Sequence, residues 1–123
     1  MLRITSLAFL FAFAIGSYAQ GQTCTSTIES VEQQVGETVV FCGTPSQVRA
    51  SGKDGSGPVY LNFGGNYPDN VFSVVIFSDV AGTDRDALLK QFTGKKVRVK
   101  GTVKEHNGKA EIILRSLADI EVE

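Results

Sequence analysis

The 123-residue chain has no tryptophan, one histidine, two cysteines and three prolines, and each scarcity closes off a class of protein. Two cysteines with no CxxC pair and no Cys/His cluster do not make a tetrahedral zinc site. The lone histidine, His106, has no partner in the sequence around it, and a solitary exposed His is rarely a catalyst. No Ser or Cys nucleophile is flanked by a recognisable base. The apolar run Leu7–Ile15 is less than half of the about 20 residues needed to cross a membrane. Nor is there an excess of positive charge: 12 Lys plus Arg face 13 Asp plus Glu, a net charge of −1, so the chain is not a nucleic-acid binder by bulk electrostatics.

What is present begins with an export signal. Arg3 supplies a positive start, Leu7–Ile15 an apolar centre, and Ser17-Tyr18-Ala19 small residues at the −3 and −1 positions of a cleavage site, so residues 1–19 read as a signal peptide. A lipid anchor at Cys24 needs a Leu-type residue three places earlier, and Gly21-Gln22-Thr23 stands there instead. The expected product is periplasmic or secreted, with no membrane span after cleavage. Without Arg3 the remainder carries 11 basic against 13 acidic residues, a net charge of −2. In an oxidising compartment an even cysteine count favours a bridge between Cys24 and Cys42. Such a bridge closes a loop of about 18 residues, worth roughly 3 kcal/mol in the chain-entropy model. The alternative, a buried free Cys42 in a strand and an unpaired Cys24, stays open.

Residues 20–35 read as an N-terminal arm with a short helix or turn at Ser26–Gln34, and residues 36–123 as one domain. Within the domain, Thr38–Arg49 reads as a long strand in which Gly43 and Pro45 mark a bulge or bend. The Gly-rich stretch Ala50–Pro58 is a loop. Val59–Phe63 and Phe72–Ser78 are strands joined by GGNYPDN. Thr83 to Asp86 resembles a capping box opening a helix, DALLKQF, that stops at Gly94. Lys95–Glu105 and Lys109–Ile120 form a hairpin about His106-Asn107-Gly108. Five strands with one helix between the third and fourth is the order of an OB fold, a small Greek-key barrel, and this all-β class with one short helix is the expectation. Val59, Leu61, Phe63, Val74 and Ile76 are assigned to its core; Tyr60, Asn62, Ser73, Val75 and Phe77 face outward. Leu88, Leu89 and Phe92 plug one end.

The pattern GETVVFCG, then YLNFGGNYPDNVFSVVIF, then GKKVRVKGTVKEHNGKAEIIL resembles a family of small bacterial proteins with a tRNA-anticodon-like OB fold. Its members occur alone after export signals or beside other domains and are described as nucleic-acid binding. The likeness spans Gly36–Ile120, and its most specific part is the LNFGG-YP core. Pro45 departs from it, standing where such sequences commonly carry an apolar strand residue, which leaves the path of the first strand open. The resemblance implies little about function, because the fold serves binders of nucleic acids, sugars and proteins alike.

Chemistry is therefore argued from side chains. Between Lys95 and Arg115 the sequence carries seven basic residues and two acidic ones, Glu105 and Glu111. Lys96, Arg98, Lys100, Thr102 and Lys104 alternate with Val97, Val99, Gly101 and Val103, a solvated face that is either an ordinary strand surface or a track for a phosphate backbone. Arg49 and Lys53 flank the Gly-rich loop, His106 and Lys109 the last hairpin, and in OB folds such loops border the ligand platform. Tyr60 and Phe77 are the aromatic candidates for stacking, and Asn62 lies between them on the outward face. The expected ligand is single-stranded DNA or RNA, or another oligoanion, held by Arg49, Lys53, Tyr60, Asn62, Phe77, Lys104, His106 and Lys109. An envelope protein or glycan on the same face is the alternative. A degenerate nuclease is the outsider, since Asp84 and Asp86 are explained by a helix N-terminus and Asp69 has no arginine near it in sequence. Neither cofactor, metal nor catalysis is expected, and the oligomeric state is open.

Overall fold

The computed structural model describes residues 22–123. The expected leader, Met1–Ala19, lies outside the described residues. No helix among the described residues is long and apolar enough to cross a membrane.

The described chain is mostly β: seven strands and two α-helices. The strands are β1 (Thr38–Gly43), β2 (Gln47–Ala50), β3 (Val59–Phe63), β4 (Phe72–Ile76), β5 (Val97–His106), β6 (Lys109–Ile113) and β7 (Ile120–Val122). Two helices, α1 (Ser78–Ala81) and α2 (Arg85–Phe92), lie between β4 and β5. Hydrogen bonds run along the path β1-β5-β6-β4-β3-β2, with β7 also on β5. Every pair is antiparallel except β4 with β6. No ladder joins the path's two ends, β1 and β2, so the sheet is not closed by hydrogen bonds among the described residues.

The strand count exceeds the expected five for two local reasons. The first long strand is cut at Thr44-Pro45-Ser46, where Pro45 has no N–H to give a ladder; β1 pairs with β5, and β2 turns away to pair with β3. The last strand ends at Ile113 rather than Ile120. There Ser116 caps a 3-10 turn, Leu117–Asp119, by accepting from the Ala118 N–H at 3.1 Å, and β7 then pairs with β5. One smaller expectation is also corrected. The cap of α2 is Asp84, whose carboxylate accepts from the Ala87 N–H at 3.0 Å, not Thr83; a carboxylate is favoured at that end by the helix dipole. The N-terminal segment, expected as a short helix or turn, forms a 3-10 turn, Val31–Gln33, preceded by a parallel bridge from Ser26 to Phe41.

The hairpin between β5 and β6 turns on Asn107 and Gly108, both at positive φ (51° and 81°), as an Asn-Gly type I′ turn requires. Cys24 and Cys42 are joined in a disulfide with their Cα atoms 5.8 Å apart, which ties the N-terminal arm to β1.

The core takes the inward residues that period-two patterning assigned. Val59, Leu61, Phe63, Val74 and Ile76 are all buried, as are Leu88 and Phe92 of α2. Phe41, Phe63 and Phe72 form its aromatic centre, with ring centroids 4.4 to 5.5 Å apart. Removing each such side chain from water is worth about 1.5–3 kcal/mol. Val75 is only 3% exposed although it faces outward. Its register partners on that face are Tyr60 and Ile113, which flank it from both sides. The continuous apolar run of β4 is thus covered on both faces.

Candidate ligand-binding groove

Period two places Arg49, Tyr60, Asn62, Ser73, Lys109 and Glu111 on the outer face of four neighbouring strands, β2, β3, β4 and β6. Together with the turn before β4 and the β5–β6 hairpin tip they line a groove of about 480 Å3. Arg49, Tyr60, Asn62, His106 and Lys109 of the expected set meet there. Three others do not. Lys53 projects from the exposed loop between β2 and β3. Phe77, 43% exposed, lies beyond the end of β4 against Asp79, Val80 and Arg115. Lys104 lines a neighbouring depression with Thr38, Lys100 and Arg115.

The floor is a chain of neutral polar groups. Asn62 Nδ2 donates to Gln47 Oε1 at 2.9 Å, and that oxygen also accepts from the Tyr67 N–H at 3.0 Å. Ser73 Oγ donates to Asn62 Oδ1 at 2.8 Å and accepts from Asn70 Nδ2 at 2.7 Å. Asn62 and Asn70 are buried, and this mutual pairing is what makes their burial tolerable. Lys109 Nζ donates to Asn70 Oδ1 at 3.2 Å and to the Pro68 carbonyl, so it fastens the Tyr67–Asn70 turn to the β5–β6 hairpin.

The wall carries the charge. The Arg49 guanidinium lies 4.7 Å from the Tyr67 ring centroid and 5.7 Å from that of Tyr60, and Lys109 Nζ lies 6.0 Å from Tyr67. The ring faces attract these cations. The Arg49 side chain makes no hydrogen bond or ion pair among the described residues, and its Nε is buried without a partner. Opposite, Glu111 is the groove's one carboxylate among the described residues.

Sequence reasoning missed Tyr67, Asn70 and Gln47, and placed Ser73 on the outward face without counting it among the site residues. Tyr67 had a signal: an aromatic between Asn66 and Pro68 in a turn has no core to enter, and it is 61% exposed. The amides Asn70 and Gln47 had none, because their value depends on which strands pair.

The basic stripe on β5 also divides. Lys96 pairs with Glu123 at 3.6 Å, and Arg98 with Glu121 at 2.6 Å and Glu123 at 3.4 Å, so its first half is neutralised by β7 and the residue after it. At the far side of the Gly-rich loop, Arg85 donates to the carbonyls of Gly57 at 3.1 Å, Ser56 and Gly82. Within that loop, hydrogen bonds from the Ser56 hydroxyl and N–H hold the Asp54 carboxyl below its ordinary pKa of 3.8. Cys24, Cys42 and Glu123 bring donor atoms within 4.8 Å of one another, but two of these are the bonded sulfurs of the disulfide, not thiolate ligands.

Comparison with solved structures places this architecture. An OBody bound to hen egg-white lysozyme matches 85% of the chain and 98% of its own, with a TM-score of 0.58 at 16% identity. Asparaginyl-tRNA synthetase from Pyrococcus horikoshii matches 78% of the chain, with a TM-score of 0.53 at 21% identity. Aspartyl-tRNA synthetase from Leishmania major matches 90%, with 0.51 at 15%. The fold is OB-like. The chain spans only 22% and 23% of the two synthetases, and at these identities the likeness concerns the fold alone. Neither a protein-family model nor a curated protein matches the chain.

Proposed function

We propose that the protein is an exported, non-enzymatic OB-fold module whose groove binds single-stranded nucleic acid or another oligoanion. One observation carries this reading: the Arg49 guanidinium rests against Tyr60 and Tyr67 with no acidic partner among the described residues. The Arg49 guanidinium, half-buried beside two rings and without a carboxylate among the described residues, suits a ligand that brings both a negative charge and a flat face. Bases on aromatic platforms with phosphates on adjacent cations are how OB folds hold single strands. Export rests on the leader pattern and accords with the disulfide. We further read β1 and β2 as one strand bent at Pro45, which winds the sheet into a five-stranded Greek-key barrel and puts the groove on its outer wall. A nuclease reading gains nothing, since the groove sets a single carboxylate, Glu111, against a single arginine, too few groups to hold a catalytic metal and a phosphate together.

A protein or glycan ligand on the same groove is the second reading. It is favoured by the 61% exposure of Tyr67, the kind of aromatic that anchors protein interfaces, and by the lysozyme-bound OBody of like fold. Binding of the purified protein to labelled oligothymidine and to envelope glycans, at low and moderate salt, separates the two. Oligothymidine binding that weakens with salt and with Arg49→Gln is expected. Absence of such binding near ~50 mM salt, where phosphate contacts are strong, overturns the nucleic-acid reading in favour of the second.

A further inference from the structure

The basic run along β5 meets two different fates. Lys96 and Arg98 are matched by Glu121 and Glu123. Further along the same face, Lys100 and Lys104, together with Arg115 after β6, are exposed and make no ion pair among the described residues. These three cations line one depression of about 210 Å3. With them stand Thr38 and Thr102, whose hydroxyls are 2.9 Å apart, and one acid, Asp119. The strand is pressed close at this point: a Cβ on Gly101 would come within 2.5 Å of Ile112 Cγ2. Lys104 stands opposite Glu111 in the β5–β6 ladder, and Glu111 lines the groove, so the depression begins one strand from the groove wall.

We propose that this depression is a second anion site, which takes the phosphates of a single strand after it leaves the groove. The inference rests on the groove reading and adds a direction to it. The strand runs from Arg49 and Lys109 over Lys104 to Lys100 and Arg115, and stops short of Lys96 and Arg98, whose charge is already spent on β7. Four residues of extended chain separate Lys100 from Lys104 by about 13 Å. One phosphate does not span that distance, whereas successive phosphates of a polymer do. The bonded pair of threonine hydroxyls leaves one uncharged O–H donor of the kind that positions a sugar-phosphate backbone.

The test uses oligothymidines of about four and about sixteen nucleotides, the two ends of the range that OB folds occupy, bound to the purified protein across a salt series. The variant Lys100→Gln/Arg115→Gln is expected to lower the slope of log affinity against log salt by about 0.7 per lost contact for the long oligomer, and to leave the short one unchanged. Lys96→Gln is expected to change neither. A double variant whose long-oligomer slope equals that of the parent, or which loses equally at both lengths, overturns the second site while the groove reading stands. If neither length binds the parent protein, the groove reading falls and the second site with it. Thermal melting of each variant, all at exposed positions, confirms that the fold is intact.

Discussion

The groove and the seam where β5 meets β7 both gather cations, and they treat them oppositely. At the seam Arg98 is held by two carboxylates beside the disulfide, since Arg98 is the register partner of Cys42. In the groove Arg49 is held by two aromatic rings and by no carboxylate among the described residues. A cation matched by acids contributes to the folded state and has little left for a ligand. A cation against a ring keeps its donors free, because the π-face satisfies charge without accepting the directional hydrogen bonds. The same residue type is therefore structural at one place and a binding candidate at the other.

If the seam is the structural region, breaking its bridge should give the largest stability change with the least effect on binding. Reduction of Cys24–Cys42 is expected to cost roughly 3 kcal/mol in denaturant unfolding, from the entropy of a loop of about 18 residues, with ligand affinity retained. Equal unfolding midpoints for oxidised and reduced protein would contradict this. Next comes the groove floor. Asn70→Ala removes the donor to Ser73 and the acceptor of Lys109. It is expected to cost about 1–3 kcal/mol of stability, the penalty for buried polar groups left unpaired, and to weaken binding as well, because the turn carrying Tyr67 loses its fastening. A variant as stable as the parent would show that the floor network is idle.

Tyr67→Ala should separate the regions from the other side. It is expected to cost roughly 1–3 kcal/mol of binding if bases stack there while shifting stability by less than about 0.5 kcal/mol, as for other exposed positions. Isothermal titration and melting of the same sample decide it, and a loss confined to stability reverses the assignment. Arg98→Gln is a smaller change, about 0–1 kcal/mol of stability for a part-exposed ion pair and none in affinity. The smallest effect concerns Asp54. Its pKa is lowered in the folded chain, so its contribution is present above the ordinary value of 3.8 and is lost as pH falls through the depressed one. An Asp54→Asn variant should lack that acid-limb component and match the parent's slope below it, which a pH series of melting temperatures measures.

Local features were legible where one residue or one short period decides the outcome. Asn107-Gly108 specified its turn because few residues other than glycine and asparagine tolerate positive φ. The inward set of β3 and β4 followed from strict alternation. The helix at Arg85–Phe92 followed from its cap and its stop at Gly94, though the capping residue lay one position later than expected. Strand ends were less legible. Whether residues after Ile113 continue β6 or cross to β5 depends on which edge is free, and no residue between Leu114 and Asp119 states that.

By itself, the sequence determined a β-rich chain with one substantial helix, a cysteine pair able to bridge, and a run of alternating lysines and valines. Tertiary structure alone decided which of those cations are available. Glu121 and Glu123 lie more than twenty residues from Arg98 in the chain, yet they neutralise it because β7 joins β5. Tyr67 and Arg49 meet because a turn folds back over a neighbouring strand. Charge and stacking energies depend on distances of a few ångströms, and such distances between residues remote in the chain exist only once the strands have paired.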